Sequence, residues 1–194
     1  ESNLTILENI VKMLTNRNNI LDPKKLDKNI ESLKKQMNEN LTFQIKSDYN
    51  DSEYHIKFYF QKLTTIKKIV PIEDFLSNTK GKNKIIVVSN INQKVYKQFM
   101  EYSNVEIFFN YELMINLIDF NLIPKHHLLD DKEKEEYIQA YQHNIQDNGA
   151  VRGMSRMNST DPISRYYNMK SGDIVKIVRP STTSGYSIFY RKVV

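Results

Sequence analysis

Between Asp161 and Val194 the chain alternates turn-forming and strand-forming segments so closely that it reads as one compact unit. Asp161-Pro162 reads as a helix opener, because an Asp carboxylate accepts from the free amides of a first turn and Pro is pre-set for the first helical position. Ile163–Tyr167 predicts a short helix, closed by Asn168. Lys170-Ser171-Gly172-Asp173 reads as a turn, and the β-branched run Ile174–Val178 as a strand. Pro180 and the Ser181–Gly185 loop are expected to interrupt that strand before Tyr186–Arg191 returns as a second one. The apolar strand positions Ile174, Ile177, Ile188 and Phe189 are expected in the core.

Upstream, the periodicity changes from helix to strand and back. Leu4, Ile6, Leu7, Ile10, Val11 and Leu14 recur at helical spacing and form one stripe. Asp22-Pro23 opens a second predicted helix, with Leu26, Ile30, Leu33 and Met37 on one face. Leu41–Ile45 and Tyr54–Phe60 alternate like strands around the turn Asn50-Asp51-Ser52, which predicts an antiparallel hairpin. A short helix holding Phe75 and Leu76 follows Pro71, and Gly81 turns the chain into Ile85–Val88. That run is apolar at every position, so it is expected to be covered on both faces. Val95–Met100 predicts a helix, Val105–Phe109 a strand, Leu113–Ile118 a helix and Asp131–Tyr141 a charged helix. Asp147-Asn148-Gly149, with Arg152-Gly153 and Ser155, reads as an irregular connection. Two domains meeting near Pro124 are expected, 1–121 and 122–194.

The chain offers little for catalysis. It has no cysteine and four histidines, His55, His126, His127 and His143. Adjacent side chains such as His126 and His127 diverge and cannot share a metal, so both are read as turn histidines held by local hydrogen bonds, His127 at the surface. A metal-dependent nuclease needs an acidic residue followed by an acidic-x-Lys triplet on the next strand. The nearest candidates are Asp48, Asp51, Glu53 and Lys57, but Lys57 is four positions from Glu53, and Asp48 and Asp51 fit a hairpin turn. The 5 glycines are not clustered as a phosphate loop requires. No active site and no cofactor are expected.

The formal charge of +5 permits nucleic-acid contact, but the lysines are dispersed, with Lys24-Lys25, Lys34-Lys35 and Lys67-Lys68 as tight pairs. A dedicated reader concentrates its positive charge in a stripe. No run reaches the roughly 18 apolar residues of a membrane span, and the start does not read as a signal peptide, so a soluble intracellular chain with no membrane partner is expected.

The order Asp161-Pro162, Arg165-Tyr166, Gly172, Ile177-Val178-Arg179-Pro180-Ser181, Gly185 and Tyr190-Arg191 resembles the signature of the fifth subunit of eukaryotic-type DNA-directed RNA polymerases, a family with an archaeal relative in its C-terminal domain. Leu122-Ile123-Pro124-Lys125-His126 is similar to the segment that opens the same domain. Leu4–Leu14, Arg17–Leu21, Lys84–Val88, Phe108-Phe109 and Leu113–Asn116 extend the likeness upstream. The resemblance implies a non-catalytic transcription subunit, present in one copy per complex. It pairs an α/β N-terminal jaw domain with a central mixed sheet and a small α+β C-terminal assembly domain. The assembly domain would dock on the largest subunit, with Asp161, Pro162, Arg165, Tyr166, Arg179, Pro180, Ser181, Tyr190 and Arg191 as the interface. The jaw would lie near downstream double-stranded DNA.

Many cellular relatives carry a Thr-Pro-Ser-Ala loop after the central strand. Here Ser89–Lys94 stands in its place without proline, and Asn92, Gln93 and Lys94 are expected as a DNA-proximal loop making sequence-independent backbone contacts. The Lys-, Asn- and Ile-rich composition suggests a divergent lineage, such as a large DNA virus. The protein is then expected with its polymerase, in the virion and host cytoplasm if viral and in the nucleus if cellular. A free-standing double-stranded DNA-binding protein is the alternative reading, and the nuclease a further one.

Overall fold

A computed structural model describes residues 2–17, 20–38, 40–66, 69–102, 104–141 and 153–194. Lys67-Lys68, His143, the middle of the Arg17–Leu21 turn and the Asp147–Arg152 connection lie outside the described residues. The chain divides into two compact units, Glu1–Asn116 and Leu117–Val194. Among the described residues, no helix is long and apolar enough to cross a membrane.

The first unit opens with α1 (Ser2–Asn16), whose stripe Ile6, Leu7, Ile10, Val11 and Leu14 is buried as its spacing predicts. Asp22 caps the next segment by accepting from the Lys24 amide, but Pro23–Lys25 form a 3-10 turn before α2 (Leu26–Lys35). Only Leu33 of the expected α2 stripe is fully buried, and Met37 lies exposed beyond the helix end. Strands β1 (Thr42–Lys46) and β2 (Glu53–Leu63) make the expected antiparallel hairpin. Helix α3 (Val70–Asn78) carries Pro71 in its first turn and leads to Gly81, whose φ of 80° suits a residue without Cβ.

Strand β3 (Asn83–Ile91) follows, then α4 (Gln93–Met100) and β4 (Val105–Phe109). The sheet order is β1-β2-β3-β4, with β3 parallel to both neighbours. Each parallel step needs a crossover, and α3 and α4 supply them. Ile86 and Val88 point into a cluster with Ile72, Phe75, Val95 and Phe99 from those crossovers. Ile85 and Val87 face the other way and are equally buried, so the uniformly apolar run is covered on both sides. On that second face the Arg17 guanidinium holds Glu106 of β4 by two contacts of 2.9 and 2.6 Å. The helix expected over Leu113–Ile118 is replaced by two 3-10 turns, Asn110–Leu113 and Leu117–Asp119. Two competing caps fix this: Glu112 reaches back to the Phe109 amide, and the Asn9 side chain takes the Leu113 carbonyl that a continuing helix would need.

The second unit holds β5 (Lys125–Leu128), α5 (Asp131–Ala140), β6 (Ser155–Met157), α6 (Pro162–Tyr166), β7 (Ile174–Ser181) and β8 (Gly185–Val193). Its sheet runs β5-β7-β8-β6 and is also mixed, because β6 lies parallel to β8. Two expectations fail here. Pro180 does not interrupt β7 but pairs with Tyr186 inside the hairpin; no described strand lies beyond β5, which stops opposite Val178, so the missing Pro amide leaves no ladder bond unmade. Ser155, expected in an irregular connection, begins a strand. The core is Met157, Ile163, Met169, Val175, Ile177 and Val193, with α6 on one face of the sheet.

Candidate functional site

Register decides what the second unit presents. Across the sheet, His126, Ile177 and Phe189 form one row, and His127, Lys176 and Tyr190 form the next, on the opposite face. The Tyr137 ring of α5 lies 4.3 Å from that of Tyr190, and Glu133 of α5 meets His127 Nε2 at 2.9 Å, so α5 covers the second row. Asp130 gives Glu133 a capping amide as well, and that bond, followed by His127, holds the Glu133 carboxyl below its ordinary pKa.

The first row runs from half-buried His126 through buried Ile177 to Phe189, which is 42% exposed. The Arg179 guanidinium sits 4.6 Å over the Phe189 ring, a cation–π arrangement that orients both side chains. Together with Leu122, Pro124, Asp161 and Arg191 this row lines an open cleft of about 310 Å³. A second, polar cleft of about 260 Å³ shares Met157, Asp161 and Arg191 and adds Arg156 and Thr160. His126 is held by its Nδ1, 2.7 Å from the Pro124 carbonyl. Burial lowers its pKa, outweighing that bond and Asp161. The neutral ring therefore carries its proton on Nδ1, since a carbonyl can only accept. Neither His126 nor His127 is a turn residue as expected; both stand on β5 and diverge.

Of the residues singled out in the sequence, the cleft brings together Asp161, Arg179 and Arg191. Asp161 also caps α6, accepting from the Ile163 amide at 2.9 Å. Pro162 and Pro180 are exposed nearby, and Arg165 is half-buried on α6. Ser181 closes the β7–β8 turn, its Oγ accepting from the Ser184 amide at 3.3 Å. Tyr190 is turned to α5. Tyr166 is corrected from the interface to the core: it is buried and meets Tyr167 edge-on at 5.1 Å. Ile188 and Phe189 move the opposite way. They were expected inside, yet Ile188 is 53% and the neighbouring Tyr186 71% exposed; both lie past the end of β6, which reaches no further than Arg191 on β8. His126, Leu122, Arg156 and Phe189 were missed as cleft residues, and the alternation Ser187-Phe189-Arg191 was the available signal for Phe189.

In the first unit Asn92, Gln93 and Lys94 do not form a loop. Asn92 caps α4, accepting from the Lys94 amide at 3.1 Å, and Gln93 and Lys94 are its exposed first residues. Asp48, Glu53 and Lys57, weighed for nuclease chemistry, are engaged with neighbours of their own. Asp48 accepts from the Asp22 amide at 3.0 Å and from Lys25 Nζ at 2.6 Å, which lowers its pKa. Glu53 is held by Lys82 and Lys46, and the Lys82 bond lowers its pKa. Lys57 is buried against the Asn40 carbonyl and Thr42, and burial lowers its pKa. Among the described residues, no group of three or more His, Asp or Glu is placed to hold a metal ion.

Comparison with known proteins places this architecture. Residues 115–193 match the family described as RNA polymerase Rpb5, C-terminal domain. DNA-directed RNA polymerase subunit 5 of Acanthamoeba polyphaga mimivirus is 35% identical, over 97% of this chain and 90% of that protein. The chain belongs to the Rpb5 family of DNA-directed RNA polymerase subunits. A second full-length relative, the Dictyostelium discoideum protein named as a subunit of DNA-directed RNA polymerases I, II and III, is 32% identical over 97% of this chain and 95% of its own length. The corresponding Caenorhabditis elegans protein is 37% identical, but over 46% of this chain and 40% of its own. Relatives thus come from a virus and from cellular organisms, and both units lie within the full-length matches.

Proposed function

We propose that this non-catalytic polymerase subunit docks on the largest polymerase subunit through its C-terminal assembly domain, residues 122–194, while residues 1–121 form part of the jaw at downstream DNA. The observation that carries the docking reading is the β7–β8 hairpin. It projects past β6, which reaches no further than Arg191, with Tyr186 and Ile188 exposed on one face and Phe189, under Arg179, on the other. Exposed aromatic and Arg side chains on a rigid strand pair are the composition of an interface anchor. For the jaw, the exposed start of α4, with Lys94 beside the Asn92 cap, suits a sequence-independent meeting with a phosphate backbone. One copy sits in each complex, and the subunit goes where its polymerase goes: virion and host cytoplasm for a viral enzyme, nucleus for a cellular one.

Affinity recovery of the natively expressed chain tests this, with partners identified by mass and stoichiometry. The expected result is both large polymerase subunits at one-to-one ratio. A chain recovered alone would overturn docking and favour an independent DNA-binding role. For the jaw, photo-crosslinks from downstream DNA should reach the peptide holding Lys94; crosslinks confined to other subunits would refute that part.

A further inference from the structure

We infer that the cleft beside the β7–β8 hairpin receives an acidic segment of the partner protein, with an apolar side chain set among its carboxylates; this rests on the docking reading above. Three arginines border the two joined clefts: Arg156, Arg179 and Arg191. Among the described residues none of them makes an ion pair, and Arg179 is held only by the Phe189 ring. Asp161 is the one carboxylate on these walls among the described residues, and its Oδ1 is already taken by the Ile163 amide. Three cations facing one engaged carboxylate leave a surplus of positive charge on a concave surface.

The choice of arginine is itself informative. Before residue 152 this lysine-rich chain holds a single arginine, Arg17, and the remaining five lie at Arg152 or later. Lysine serves as a solvated point charge, whereas the planar guanidinium fork matches a carboxylate with two parallel bonds. Arg17 shows that pairing inside the first unit, gripping Glu106 through both terminal nitrogens. Arg156, Arg179 and Arg191 offer the same fork with no such partner. Apolar side chains line the first cleft beside Arg179 and Arg191: Phe189, Met157, Ile177 and the almost fully exposed Leu122. A sugar-phosphate backbone would leave those side chains wet. A peptide that alternates carboxylates with an apolar residue satisfies both parts of the surface.

The test uses the full chain, tagged and expressed with its native polymerase, in two triple variants. Arg156→Glu/Arg179→Glu/Arg191→Glu reverses the charge. Arg156→Lys/Arg179→Lys/Arg191→Lys keeps it and adds amines that a zero-length carbodiimide couples to adjacent carboxylates. The expected result is recovery of the largest subunit falling about tenfold or more in the Glu variant. The Lys variant should crosslink to Asp or Glu residues of one partner segment. If the parent chain recovers the largest subunit and the Glu variant recovers it equally, the acidic-segment inference is overturned while docking stands. The same holds if the Lys variant crosslinks only within its own chain. Should the Glu variant fail to fold, the Lys crosslinks still decide. Recovery that disappears on nuclease treatment would make the partner a nucleic acid and overturn the inference. A parent chain that recovers no polymerase subunit would remove the docking reading, and the inference with it.

Discussion

The Arg17–Glu106 pair makes a sharp quantitative prediction about the first unit. Its side chains are 3% and 16% exposed, so both charges have left most of their water. Arg17→Met keeps the stem volume but leaves Glu106 facing the sheet without its cation. Breaking a buried pair from one side costs roughly 3–5 kcal/mol, and the residual exposure of Glu106 puts the expected loss near the lower end, about 3 kcal/mol. A domain has on the order of 5–15 kcal/mol in total, so the variant should fold with a much smaller margin. Glu106→Leu should be comparably harmful, because it removes the carboxylate that both terminal nitrogens of the buried guanidinium grip. The double variant should return to within about 1 kcal/mol of the parent, since two apolar groups can occupy the place of a buried pair. Amide exchange by mass spectrometry on peptides from β3 and β4 reads this unit without interference from the other. The coupling between the two sites should be at least about 2 kcal/mol. Two single losses that simply add in the double variant would refute the argument, showing that the contact holds geometry without carrying energy.

Further outcomes follow from backbone and titration chemistry. Gly172 has φ 97° and open space around the position of a Cβ, so Gly172→Ala should cost about 1–2 kcal/mol from backbone strain alone, measured as a lowered urea midpoint. Asn92→Ala removes the α4 cap and should cost about 1 kcal/mol, visible as faster exchange in the first turn of α4. His55 is held below its ordinary pKa by burial and then by Lys82, and His126 by burial. The unfolded chain therefore binds more protons as pH falls below about 6.5, and stability present above that pH should decline as the pH falls further. Urea midpoints across that range check the sign, and replacing both histidines by Asn should flatten the slope; a parent profile that is already flat would contradict it.

What could be read in advance follows the reach of each signal. The β3 run was legible because four consecutive apolar positions, Ile85–Val88, leave no polar face to expose. Asp161-Pro162 was legible because capping is local chemistry. The helix expected at Leu113–Ile118 was not: its fate was settled by Asn9, far away in sequence, taking the Leu113 carbonyl. Pro180 misled because its effect depends on whether a neighbouring strand needs its amide, and β5 ends just short of it. Ile188 and Phe189 look like core residues in any alternation count. The short reach of β6, which ends opposite Arg191, leaves them outside. The cleft was half-visible for the same reason: Arg179 and Arg191 stood out as residue types, but Arg156 did not, and their convergence required the sheet register.

The order β5-β7-β8-β6 also has a consequence for how this subunit is made. Strands β5 and β6 leave the ribosome first, yet they occupy opposite edges; among the described strands each is paired by one that is synthesised later. Until β7 and β8 have both emerged there is no sheet for the earlier segments to join, and contacts that close late in the sequence are slow to reward the chain. The hairpin that displays Arg179 and Phe189 is thus also the piece on which the rest of the unit assembles. A nascent chain has no half-formed version of this surface to offer, so a partner can engage it only after the unit has closed.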